Sequence, residues 1–194
     1  MDELEALHPL TAERIEALVK EVQDGRAEQY RELVLHFQLR LQLFCHRMIG
    51  NRAEAEDAVQ EVFLKAYRDI GSYEPTVSFS AWLYKIAYRH CLNTIRKRKS
   101  QFKLLALIKL QPAATAPLRT EETAQDLLNA LDPEDRQLVI LKVLEERSFA
   151  DIAEVTGLRE TALRKRYERL RKKLNRHATR KEIFDDRQPV SPRV

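Results

Sequence analysis

The residues best equipped to do chemistry are cations, and they fall in two separate stretches of a 194-residue chain. Residues 85–103 carry Lys85, Arg89, Arg96, Lys97, Arg98, Lys99 and Lys103 with no acid among them. Residues 159–181 carry Arg159, Arg164, Lys165, Arg166, Arg169, Arg171, Lys172, Lys173, Arg176, Arg180 and Lys181 against only Glu160 and Glu168. Acids gather instead at 54–61 and 121–135, so a net charge of +4 hides strong local polarity. Two basic stretches on one chain point to two contacts with nucleic acid; for either stretch alone, a solvated helix face is the alternative. Catalysis has no such foothold. The sequence has no phosphate-binding loop, paired catalytic carboxylates or nucleophile motif, and His8, His36, His46, His90 and His177 lack metal-ligand spacing. No catalytic residue, metal or cofactor is expected. Cys45 and Cys91 lie on apolar helix faces and read as buried thiols rather than ligands or a disulfide framework.

The elements that must hold these residues are helical. Only four glycines and seven prolines occur, Leu, Glu, Arg and Lys are abundant, and no alternating run is long enough for a sheet. From Thr11, Ile15, Leu18, Val19 and Val22 form one stripe ending at Asp24-Gly25. A second helix over 27–49 turns Tyr30, Leu33, Val34, Phe37, Leu41, Phe44, Cys45 and Met48 inward and stops at Gly50. Asn51 with Glu54 three residues on starts a third, with Ala55, Val59, Val62, Phe63 and Ala66 inside. After a loop over 71–78, Ser78 caps a fourth, with Phe79, Trp82, Leu83, Ile86 and Ile95 inward; Trp82 reads as core rather than a stacking platform. The expected architecture is all-α: an N-terminal four-helix bundle over 1–99, a linker over 100–121, a C-terminal helix-turn-helix domain over 122–176, and a basic, disordered tail over 177–194. The linker's apolar patch at 104–110 should extend the fourth helix or dock elsewhere. In the C-terminal domain, Asp132-Pro133-Glu134-Asp135 starts a helix whose core is Leu138, Ile140, Leu141 and Leu144.

The strongest single motif lies at 148–174. Ser148 and Asp151 form a capping-box pair, Thr156-Gly157-Leu158 a tight turn, and a long basic helix follows from Glu160. Leu163, Tyr167, Leu170 and Leu174 repeat along its inner face, with Leu158 and Leu163 expected to fill the wedge between the helices. Arg159, Glu160, Thr161, Arg164 and Lys165 then project from its N-terminal end, where side chains reach base edges in a major groove. Arg166, Arg169, Arg171 and Lys172 are expected at phosphates.

These motifs together resemble the extracytoplasmic-function sigma factors of bacterial RNA polymerase. Residues 54–67 are similar to the family's second conserved region, 78–87 to the segment after its promoter-melting loop, and 131–136 with 149–153 to the start of its last domain. The ordered match covers 27–99 and 121–174. It implies that Asp57, Gln60, Glu61 and Leu64 dock on core RNA polymerase. It also implies that the 71–80 loop and fourth helix capture the unpaired −10 strand. Tyr73, Ser78 and Ser80 would line a base pocket while Lys85, Arg89, His90, Asn93 and Arg96 follow the backbone. The second basic helix would read the −35 element. His90, Asn93, Ala162-Leu163 and Lys165 depart from the family's usual residues, so base preference does not transfer.

The implied partners are core RNA polymerase, promoter DNA and an anti-sigma factor, without membrane insertion. No 18-residue apolar run is present and the acidic N-terminus lacks a signal-peptide core, so a cytoplasmic, non-enzymatic role is expected. Fully extended, the linker reaches roughly 70 Å at about 3.3 Å per residue. Two elements one and a half duplex turns apart lie on the order of 50 Å apart, within that reach. A dimeric helix-turn-helix regulator would account for 148–174 but not for 54–99. A polymerase-binding adaptor or anti-sigma protein would need no recognition helix.

Overall fold

A computed structural model describes residues 10–108 and 124–185, with side chains over 10–101 and 124–174. No strand occurs among the described residues. The first unit consists of α1 (Ala12–Gln23), α2 (Tyr30–Ile49), α3 (Arg52–Asp69) and α4 (Phe79–Ile108). The second consists of α5 (Ala124–Ala130), α6 (Pro133–Val139), α7 (Phe149–Thr156) and α8 (Glu160–Asp185).

Local chemistry sets most of these boundaries. Thr11 caps α1 by accepting the Arg14 N–H, Asn51 caps α3 by accepting that of Glu54, and Asp132 caps α6 by accepting those of Glu134 and Asp135. Gly50 ends α2 at a φ of 76°, a left-handed conformation, and donates to the His46 carbonyl at 2.7 Å. It is also a point of close approach: a Cβ here would lie 3.0 Å from the Asn129 side chain of α5.

The last turn of α2 would leave its carbonyls without partners. Three side chains from three other helices supply them. Gln125 of α5 donates to the Arg47 carbonyl at 3.1 Å, Arg136 of α6 to that of Met48, and Arg98 of α4 to that of Ile49 at 3.0 Å. Arg136 is buried, and its guanidinium also donates to the carbonyls of Asn129 (3.0 Å) and Leu131 (3.4 Å). Cations suit the negative end of a helix dipole, so charge as well as hydrogen bonding holds α4 and α6 to this point.

The two units share one apolar core. Leu128, Leu131, Leu138, Ile140, Leu141, Ile152, Val155, Leu163 and Leu170 are continuous with the bundle residues Leu18, Phe37, Leu41, Phe44, Val62, Leu83 and Tyr84. The sequence suggested two domains joined by a linker; α5 and α6 pack on α2, and α7 packs on α4.

Three local readings are corrected, and the alternative left open for the apolar stretch after residue 103 resolves as helix extension. A π-helical turn at Ile140–Leu144 closes i to i+5, which advances the register and leaves Leu144 41% exposed rather than in the core. Leu158 is 43% exposed, because the turn carries it outward; Ile152, Val155 and Leu163 fill the wedge instead. α4 runs to Ile108 rather than ending near 99, so residues 104–108 extend that helix, while 109 and 110 fall outside the described residues. α8 continues to Asp185, covering part of the stretch read as a tail; 186–194 lie outside the described residues. Trp82 is half-buried at the core's edge, against Tyr73 and Phe79 at 5.4 Å each.

Candidate nucleic-acid and polymerase interfaces

The helix-turn-helix geometry follows from its turn. Ser148 accepts the Asp151 N–H at 3.1 Å while Asp151 accepts that of Ser148 at 3.0 Å, closing a capping box. Gly157 at a φ of 74° donates to the Ala153 carbonyl at 2.8 Å, ending α7 where a side chain would strain the backbone. Burial of Leu163 and Leu170 fixes the roll of α8. That roll leaves Thr161, Arg164, Lys165 and Arg169 exposed along its N-terminal half, with Arg159 exposed just before its first residue and Glu160 half-exposed.

Arg164 is held in place. It pairs with Glu160 one turn earlier, Nε donating at 3.1 Å, and its guanidinium lies 4.8 Å from the Phe149 ring centroid. Lys142 covers the same ring at 4.9 Å. The pair and the ring restrict the side chain's rotamers, which lowers the entropy cost of a directed contact.

Arg166 does not join this face. Its side chain is 24% exposed and turns back onto the first turn of α6, pairing with Asp135, with Glu134 at 2.6 Å and with Asp132 at 3.4 Å. The expected phosphate contact is therefore replaced by an internal cluster that ties α8 to α6. Burial works against the Asp132 charge, but hydrogen bonds from Asp135 and the Arg166 charge hold its carboxyl below the usual range. Burial pushes Asp135 up, with Arg166 opposing.

On α4, Lys85, Arg89, Asn93 and Arg96 are all exposed, and their spacing puts them on one stripe. His90 sits off that stripe. It lines a hollow of about 280 Å³ with Glu54, Asp57, Thr94 and Lys97, between α3 and α4.

The start of α4 departs furthest from expectation. Tyr73 is buried, 5.5 Å from Phe79 and 5.4 Å from Trp82, so its ring is part of the core and not an open stacking surface. Its hydroxyl lies within donating distance of the Val77 carbonyl (2.8 Å) and the Glu16 carboxylate (2.9 Å). Burial first, and then Glu16, raise its pKa above the ordinary phenol value. Ser78 caps α4 by accepting the Ala81 N–H, but its hydroxyl and N–H both donate to Glu154 of α7, at 2.9 and 3.3 Å. Ser80 accepts from Arg147 at 3.2 Å. Arg147 in turn lies 4.2 Å from the centroid of the buried Tyr84 ring and pairs with Glu145 at 3.3 Å.

On α3, Asp57, Gln60, Glu61 and Leu64 are all exposed on one face, Leu64 at 56%. Tyr67, one turn further and packed on Tyr30 at 4.9 Å, extends that face and was not singled out in the sequence. Glu16, Arg147 and Glu154 were missed as well. Each sits where helix patterning predicts only a solvated polar residue, and nothing local signals a partner more than 60 positions away. Among the described residues no group of three or more His, Cys, Asp and Glu could hold a metal. No helix among them is long and apolar enough to cross a membrane.

Comparison with known proteins gives matches that follow the two units. Residues 29–101 match the family model for Sigma-70 region 2, and residues 121–174 that for Sigma-70, region 4. The chain is 30% identical to the ECF RNA polymerase sigma factor SigW of Bacillus subtilis (strain 168), over 88% of this chain and 97% of that protein. It is 32% identical to the RNA polymerase sigma factor CarQ of Myxococcus xanthus, over 78% of this chain and 92% of that one. Among solved structures, CnrH in complex with the cytosolic domain of CnrY matches with a TM-score of 0.66 at 21% identity, covering 92% of this chain and all of that one. The sigma factor RpoE in complex with the anti-sigma factor NepR from Bartonella quintana matches at 0.61 and 23%, covering 77% and 96%. Both structural likenesses bear on the fold.

Proposed function

The chain belongs to the extracytoplasmic-function group of RNA polymerase sigma factors, and on that premise we propose how its surfaces divide the work of promoter recognition. The exposed α3 face of Asp57, Gln60, Glu61 and Leu64 docks on core RNA polymerase. Its acidic rim suits a basic partner surface, and Leu64 and Tyr67 supply the apolar contact. The N-terminal half of α8 reads the −35 element, with Arg159, Thr161, Arg164 and Lys165 towards bases and Arg169 towards phosphate. The α4 stripe of Lys85, Arg89, Asn93 and Arg96 tracks the unpaired −10 strand, with Ser78 and Ser80 at its entrance. Tyr73 supports that entrance from inside the core.

The observation that carries this reading is that two exposed cationic faces, on α4 and α8, sit on one chain beside an exposed acidic face on α3. A duplex-binding regulator would use only the α8 face. The protein works in the cytoplasm, bond formation is left to the polymerase, and neither metal nor cofactor takes part. An anti-sigma factor controls it, by analogy with the sigma factor RpoE from Bartonella quintana, which is complexed with the anti-sigma factor NepR.

Transcription from a genomic promoter library with purified core polymerase tests the reading. New, sequence-selective start sites that depend on this protein are expected. Core polymerase that initiates identically with and without it overturns the proposal.

A further inference from the structure

A hollow of about 570 Å³ opens where α1, α2 and the π turn meet, and of its lining only Ser80 belongs to a surface assigned above. His36, Arg40, Leu43 and Arg47, recurring every three or four residues, make the α2 wall. Leu144, which the π turn throws outward, stands on the wall of the second unit. Leu43 and Leu144 are 43% and 41% exposed, so each unit offers a leucine to water here. Neither Arg40 nor Arg47 pairs its guanidinium with a carboxylate among the described residues. The acids of the far wall are mostly committed: Glu145 pairs with Arg147 at 3.3 Å and Asp151 closes the capping box, leaving Glu146. Residues 1–9 lie outside the described residues, but the point from which they depart is fixed. Leu10 lines the hollow and donates its N–H to His36 Nδ1 at 3.3 Å. It stands just before the Thr11 cap, with Ile15 of α1 on the same lining. That is the arrangement of a hydrophobic staple, which sets the angle at which a chain enters its helix.

We propose that residues 2–7 of the chain itself fill this hollow and lie along its α2 wall. Charge, polarity and reach each argue for that occupant. Asp2, Glu3 and Glu5 meet two arginines that have no other acid, while Glu146 opposite repels them towards α2. Leu4 and Leu7 supply what the exposed Leu43 and Leu144 lack, an apolar partner. From His36 to Arg47 the wall is roughly 16 Å long at about 1.5 Å per helical residue. Leu7 is three residues from Leu10 and Leu4 six, roughly 10 and 20 Å of extended chain at about 3.3 Å each. Leu7 therefore reaches Leu43, and Leu4 reaches the far end beside Arg47 and Leu144. Seated there, the segment touches both units and joins them by a contact separate from the shared core. It uses none of the residues assigned to polymerase or to duplex DNA.

Disulfide trapping in the full chain tests this, with diamide as oxidant and the rate of coupling as readout. Leu7→Cys is combined with Leu43→Cys, and in a second protein with Leu35→Cys. Leu35 is as exposed as Leu43, at 46%, and one residue from His36, yet it does not line the hollow. A segment merely tethered at Leu10 would couple to position 35 at least as fast as to 43. The native Cys45 and Cys91 are fully buried and do not compete. The Leu43→Cys protein should couple at least tenfold faster than the Leu35→Cys protein, within one chain. Glu3→Lys with Glu5→Lys should slow it at least fivefold, as should Arg40→Glu with Arg47→Glu, and the two reversals combined should restore it. Arg40→Glu alone, at an exposed position, should act with the same sign if circular dichroism shows that Arg47→Glu disturbs α2. Coupling at 43 no faster than at 35 overturns the proposal. Fast coupling that links two chains, seen as a dimer on a non-reducing gel, overturns it in favour of a second copy. Fast coupling within one chain that ignores every charge reversal overturns the seating along the arginine wall.

Discussion

Replacing Arg166 by alanine should destabilise the protein without changing how it responds to salt on DNA. The guanidinium meets three carboxylates, and they are not equivalent. The Asp132 and Glu134 side chains are more than half exposed, so solvent screens those pairs to about 0–0.5 kcal/mol each. Asp135 is 19% exposed and faces an arginine that is 24% exposed, which places that pair nearer the buried regime, at about 1.5–2 kcal/mol. Alanine also leaves three acids crowded at the start of α6 with no cation among them. The sum is about 2 kcal/mol of lost stability, read as a shift in the urea midpoint at constant slope. A phosphate contact predicts the opposite pattern: stability within about 0.5 kcal/mol, and a log–log salt slope for duplex binding that falls by about 0.9. Arg169→Ala, on the exposed side of the same helix, should show that second pattern and serves as the internal comparison. If Arg166→Ala loses salt slope and keeps its urea midpoint, the cluster with α6 has been misjudged.

Asp57→Lys with Glu61→Lys should weaken core-polymerase affinity at least tenfold in titration while circular dichroism stays unchanged. Arg164→Ala should cost about 1–3 kcal/mol at one base position in a substitution series, and less than about 1 kcal/mol of stability, since its cation–π contact and helix pair are exposed. Gly50→Ala should lose about 1–2 kcal/mol from its left-handed backbone, and adding Asn129→Ala should recover only the part due to crowding, measured by a urea double-mutant cycle. His36 accepts the Leu10 N–H through Nδ1, and burial, then Arg40, lowers its pKa below the usual 6.5. Its contribution to stability is therefore complete above about pH 6.5 and lost as pH falls through the lowered value. His36→Gln should flatten that part of the urea-midpoint profile.

What the sequence made legible was mostly local. Asn51 and Ser148 cap where capping chemistry requires, Gly50 and Gly157 take left-handed backbone, and the buried faces of α2, α4 and α8 follow helical spacing. Each depends on residues within four positions of one another. Three kinds of fact were out of reach. A π turn shifts register without any signature in composition, and Leu144 was misplaced for that reason. A cation's charge does not reveal its direction, so Arg166 looked the same as Arg169. Pairs such as Ser78 with Glu154, or Arg136 with the Met48 carbonyl, join positions more than 70 apart, and neither member stands out alone. The loss was therefore concentrated at the start of α4, where Ser78 and Ser80 meet Glu154 and Arg147.

The last turn of α2 carries a consequence for how the chain is made. Synthesis delivers residues in order, and domains begin to fold as they emerge. When α2 and α3 have left the ribosome, the carbonyls of Arg47, Met48 and Ile49 face water. Arg98 reaches the third of them first, Gln125 the first next, and Arg136 the second only when residue 136 is out. The turn that joins both units is thus finished last, though its own residues are made early. A ribosome paused before residue 136 holds a nascent bundle whose second helix still frays at that end. Amide exchange at Gly50, which donates back into the same turn, is the natural clock for its completion.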